Sequence, residues 1–123
     1  MYRGVCIGTD KKYKGGKGMV ERKIDVDVIE IVKKYIDEIS KKFDIQEVYL
    51  FGSYAKGTNN KDSDIDIAVV LKSDTNSFDI MVDLMMLTQN IDLRIEPHPI
   101  KIEDFENGNP FVDEIKNTGL KVA

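Results

Sequence analysis

Between Asp25 and Phe43 the apolar residues fall at Val28, Val32, Tyr35, Ile36, Ile39 and Phe43. That rhythm matches the 3.6-residue turn and predicts an amphipathic helix over Asp25–Phe43. Lys33, Lys34, Lys41 and Lys42 lie mostly on the other side, as a solvated face, and Asp25 or Asp27 suits the N-cap. "EVYLF" (Glu47–Phe51) reads as a short buried strand and "DIDIAVVL" (Asp64–Leu71) as a second. A second amphipathic helix is expected over Phe78–Gln89, with Met81, Met85 and Met86 as core filler. "IDLRIE" (Ile91–Glu96) alternates as a third strand, which Pro97 and Pro99 should end because proline cannot donate to a ladder. "KIEDFENG" and "PFVDEIKNTG" read as short helices, and "LKVA" as a final edge strand. The pattern as a whole predicts an α/β (α+β) fold, a small mixed sheet flanked by helices.

A length of 123 residues suits one domain with one core. Residues 1–18 are basic and glycine-rich, with Lys11, Lys12, Lys14 and Lys17 among Gly15, Gly16 and Gly18, and lack apolar periodicity. Such a segment buries too little surface to offset its ordering entropy. A flexible tail is therefore expected over 1–18 and the domain over 19–123. Translation starting at Met19 is a second reading of the same stretch. The net charge of −4 argues against a dedicated nucleic-acid binder, which would carry a basic surface. The lone Cys6 has no intramolecular disulfide partner, and no apolar run approaches membrane-spanning length, so a cytoplasmic protein is expected.

Asp64 and Asp66 change the picture, because two like charges at i and i+2 share one face of the predicted strand. Left alone they repel; a divalent cation removes the conflict, since carboxylate oxygens are natural Mg2+ ligands. Asp92 on the predicted third strand can complete the cluster if that strand lies beside the second. It could bind a second ion and accept or direct a hydroxyl proton. Gly52 after the first strand permits close approach of the backbone to a phosphate. Ser53 and its neighbouring N–H groups can hold that phosphate, and Lys56 is placed to neutralise a polyphosphate. His98, the one histidine, lies between two prolines and reads as structural, while Arg94 either pairs with an acidic neighbour or touches substrate.

Gly-Ser, ten intervening residues, then Asp-x-Asp at the start of an apolar strand is a specific arrangement. "GSYAKGTNNKDSDID" resembles the signature of the DNA-polymerase-β-type nucleotidyltransferase superfamily in its minimal single-domain form, over roughly Val28 to Glu96. The resemblance implies a palm-like mixed sheet and transfer of a nucleoside monophosphate, AMP from ATP, to a hydroxyl with two Mg2+ ions. It implies that Asp64, Asp66 and Asp92 are catalytic metal ligands and that Gly52, Ser53 and Lys56 bind the nucleotide. Many relatives carry arginine where this chain has Lys56, and lysine lacks the bidentate fork.

Three acceptors stay open at this level. One is a hydroxyl on a helical HEPN-type partner protein, as in antitoxins of this family. Another is a small molecule of the aminoglycoside kind. A nucleic-acid 3′ end is disfavoured by the acidic balance. A non-catalytic nucleotide- or partner-binding module and a homo-oligomer also remain compatible with the sequence.

Overall fold

The computed structural model describes residues 26–60 and 62–123. The 1–18 tail, Met19 and the Asp25 cap lie outside those residues. Helix α1 (Val26–Ser40) buries Val28, Ile29, Val32, Tyr35, Ile36 and Ile39, the stripe that its periodicity predicts. Asp27 stands in its first turn rather than at a cap. Strand β1 (Asp44–Phe51) is followed at once by the single-turn helix α2 (Ser53–Lys56). Strand β2 (Ile65–Lys72) and helix α3 (Ser77–Thr88) come next, with the Asn76 side chain accepting from the Asp79 N–H at the α3 N-cap. Strand β3 (Ile95–Lys101), helices α4 (Ile102–Asn107) and α5 (Pro110–Thr118), and the two-residue strand β4 (Leu120–Lys121) complete the chain.

The sheet order is β3-β2-β1-β4, with β2 parallel to β3 and the other pairs antiparallel. Alternation along β2 sends Ile65, Ile67, Val69 and Leu71 into a core with residues of α1 and α3. Ala68 and Val70 face the other way, into a second cluster with Ile100, Phe105, Val112 and Ile115. The sheet is thus covered on both faces, as expected for a strand that reads almost continuously apolar. Asp66 belongs to the second face, at its open end. Across the core, the buried Tyr35 hydroxyl donates to the Leu84 carbonyl over 2.7 Å, tying α1 to α3.

Two expectations are corrected here. The third strand is Ile95–Lys101, not Ile91–Glu96: Pro97 and Pro99 lie inside it. Both prolines have the same parity, and β3 is an edge strand, so the sides that lack N–H groups can face away from β2. Met85 and Met86 of α3 are not core filler either, while Met81 is half-buried. Ile80, Leu84 and Thr88 form its buried line, whereas Met85 and Met86 are 43% and 62% exposed. That helix is apolar nearly all round, so its sequence does not mark which side packs.

Candidate active site

Gly52 ends β1 with φ +79° and ψ −152°, a conformation open essentially to glycine alone. Its position is doubly constrained, because a Cβ there would be driven into the Asp66 carboxylate, with the Asp66 carboxyl carbon 3.2 Å away. The two halves of the motif are therefore in direct contact: the backbone turn lies on the carboxylate. Ser53 follows in the first turn of α2, half-buried. The α2 turn closes through the Lys56 N–H to the Gly52 carbonyl at 3.1 Å and the Thr58 N–H to the Ser53 carbonyl at 3.0 Å. Lys56 is exposed at the end of that turn, its Nζ 3.6 Å from Glu114 of α5.

In the register of the sheet, Phe51, Asp66 and Glu96 form one row across β1, β2 and β3. Asp66 is half-buried; Glu96 is exposed. Asp64 sits exposed just before β2, with the same parity as Asp66. Partial desolvation first, then hydrogen bonding to and repulsion by Asp66, push the Glu96 carboxyl above its ordinary value of 4.5. His98 opposes that shift and Asp64 adds to it. Crowded carboxylates of this kind suit a divalent cation, which would cancel their repulsion. Among the described residues, the ligand-capable atoms of Asp66, Glu96 and His98 lie within 4.8 Å of one another.

Asp92 is not in that cluster. It lies in the turn between α3 and β3, with its backbone N–H bonded to the Thr88 carbonyl. The Arg94 guanidinium grips it in a two-point fork, Nε to Oδ1 at 3.1 Å and Nη2 to Oδ2 at 3.0 Å. The Arg94 backbone N–H also donates to Oδ1 at 2.8 Å. Hydrogen bonding by Arg94 holds the Asp92 carboxyl below the usual value of 3.8. Arg94 further donates from Nη1 to the Tyr54 hydroxyl at 3.1 Å, and its carbonyl accepts from the Ile65 N–H at 2.8 Å. Asp92 and Arg94 thus brace α2 against the start of β2. The carboxylate beside Asp66 is Glu96, which sequence reasoning passed over. Its signal was present: paired prolines at one parity mark an edge strand, which must then begin later and carry Glu96 and His98 on one face.

Comparison with known proteins bears on this geometry. The sequence pattern of the family described as "Nucleotidyltransferase domain" matches residues 32–120. MJ0141 of Methanocaldococcus jannaschii, provisionally named a protein adenylyltransferase, is 28% identical over 102 residues, 79% of this chain and 100% of that protein. The protein adenylyltransferase MntA of Shewanella oneidensis is 53% identical over 45 residues, 37% of this chain but only 30% of MntA. A provisionally assigned nucleotidyltransferase of Sulfolobus solfataricus has a crystal structure with TM-score 0.58 at 24% identity, covering 78% of this chain and 79% of that one. A toxin–antitoxin crystal structure with AMP-PNP gives TM-score 0.57 at 22% identity over 77% of this chain and 72% of that one. At those identities the structures bear on the fold alone, and it is the nucleotidyltransferase fold. With the match spanning most of its length and the glycine turn resting on the acidic strand, the chain belongs to the nucleotidyltransferase domain family and is an enzyme of that type.

Proposed function

We propose that this enzyme transfers AMP from ATP to a hydroxyl group on a partner protein, with Asp64, Asp66 and Glu96 as its acidic set. The observation that carries the reading is the contact of Gly52 with Asp66, in a row with Glu96. A phosphate on the Gly52–Ser53 turn lies directly against those carboxylates. Two Mg2+ ions bound to Asp64, Asp66 and Glu96 would supply charge neutralisation for the attacking and leaving oxygens. Ser53 holds the phosphates through its hydroxyl and N–H, and Lys56 offsets charge on the departing pyrophosphate. The acceptor oxygen bonds to the α-phosphorus as the α–β phosphoanhydride bond breaks. The acceptor's proton passes to a carboxylate of the same row. Asp92 takes no part in this scheme; its oxygens serve Arg94.

A protein acceptor is supported by the exposed apolar side chains of α3 and the turn after it. Phe78 is 74%, Met86 62% and Leu93 72% exposed, alongside Val82 and Met85. Apolar surface of this kind is a common mark of a protein-binding face. Asp74, Asp79 and Asp83 border it, which suits a partner with basic residues around an apolar surface. Leu93 is three residues from Glu96, at most about 11 Å along the chain, so one end of this surface lies near the edge strand that carries Glu96. A helical HEPN-type toxin encoded beside this gene is the partner we propose; a solved structure of similar fold is described as the toxin–antitoxin MntA-HepT.

Incubation with α-labelled ATP, Mg2+ and the neighbouring gene's product tests the reading. Label should reach the partner and vanish in Asp66→Asn and Glu96→Gln, but persist in Asp92→Asn. Nucleotide binding without label transfer would make the chain a binding module. Transfer surviving Glu96→Gln while failing in Asp92→Asn would restore Asp92 as the third carboxylate.

A further inference from the structure

His98 has a place that the acidic set does not account for. Glu96 and His98 share one face of β3, and the His98 Nε2 lies 3.3 Å from Asp66 Oδ1. Neighbouring ligand atoms around a six-coordinate ion with bonds of about 2.1 Å are separated by about 3 Å, so this spacing suits two atoms on one cation. The imidazole is held from behind. Phe51 meets it edge-on at 5.0 Å between centroids, Phe111 is tilted against it at 5.9 Å, and the two phenyl rings are 5.6 Å apart. Pro97 and Pro99 on either side fix φ and keep the backbone from turning the ring away. A ring wedged by two aromatics and flanked by two prolines is presented to Asp66 at little entropic cost.

We infer that, on the reading of Asp66 and Glu96 as the metal-holding row, His98 Nε2 is a third protein ligand, and that the site takes Mn2+ or another first-row transition cation ahead of Mg2+. The chemistry follows from the donor set. Mg2+ is a hard ion that takes oxygen, whereas an imidazole nitrogen favours first-row transition cations. Replacing an all-oxygen set by two carboxylates and one imidazole therefore shifts preference along that series. The competing role for His98 is to orient Asp66 by a hydrogen bond without touching the ion.

Manganese distinguishes the two roles, and the single histidine of the chain makes the signal assignable. The full-length protein, free of any histidine tag and of nucleotide, is titrated with MnCl2 while free Mn2+ is followed by electron paramagnetic resonance. Pulsed spectra of the bound ion are then searched for 14N coupling from a directly bound imidazole. The coupling should be present in the native protein and absent in His98→Gln. Mn2+ affinity should fall at least about tenfold in that variant, with Mg2+ affinity, read by competition, changing far less. Bound Mn2+ without 14N coupling, and with unchanged affinity in His98→Gln, overturns the inference and leaves the carboxylate row standing. No Mn2+ bound at millimolar concentration overturns both. The native spectrum alone decides the ligand question, whether or not the variant folds.

Discussion

Gly52→Ala tests the contact on which the site is built. The substitution forces a Cβ onto a backbone at φ +79°, ψ −152°, a strain of about 1–3 kcal/mol. It also drives that Cβ into the Asp66 carboxylate, whose carboxyl carbon and Cβ lie 3.2 and 3.3 Å away. Asp66 cannot swing freely, because His98 Nε2 is 3.3 Å from its Oδ1, and pushing it off-rotamer adds about 1 kcal/mol. The expected cost is about 2–4 kcal/mol, together with loss of transfer. Gly57→Ala is the control: φ is +78° and ψ 16°, nothing lies within 4 Å of its new Cβ, and only left-handed strain of about 1–2 kcal/mol is expected. Urea unfolding without divalent ions measures both, provided the slope with denaturant is unchanged. Repeating Gly52→Ala in an Asp66→Ala background should recover about 1 kcal/mol as a coupling term, since the collision partner is gone. An equal cost in both backgrounds, or a cost no greater than that of Gly57→Ala, would refute the idea that the turn rests on the carboxylate.

Three further outcomes follow from the same geometry. The Glu96 carboxyl is raised above 4.5, so its contribution to stability is intact below that pH and is lost as pH rises through the folded value. Cation-free Glu96→Gln should therefore melt above the parent at neutral pH and level with it in acid; a lower melting temperature at neutral pH would contradict the crowding. Asp92 is held below 3.8, so the stability it gives is present above that pH and is lost as pH falls through its folded value. Asp92→Asn should cost about 1 kcal/mol near pH 7, discounted for partial exposure, and the difference should close in strong acid as followed by thermal melts. Tyr35→Phe should cost about 1 kcal/mol in denaturant unfolding and leave nucleotide binding unaltered, because it deletes only the buried bond to the Leu84 carbonyl.

Much of the fold was legible because α1, β1 and β2 carry periodicities set by their own residues, and burial follows those stripes. The placement of Gly52 and Ser53 at the turn after β1, and of Asp64 and Asp66 at the start of β2, was legible because a turn and a strand start are local events. Asp92 misled for a related reason. The alternation Ile91, Leu93, Ile95 reads as a strand, but Asp92 and Arg94 satisfy one another two residues apart and bend the chain instead. The face of α3 was hidden because eight of its twelve residues are apolar and they are spread round the helix.

By itself, then, the sequence determined the order of elements, the sheet faces and the placement of the Gly-Ser turn before the Asp-x-Asp strand. Those are encoded in spacing along the chain. Tertiary structure alone decided that β3 pairs with β2 in the register Asp66 to Glu96, and that His98 is wedged by Phe51 and Phe111 against Asp66. The physical reason is that strand register and cross-strand packing compare energies between residues distant in sequence, and no local pattern holds both partners at once.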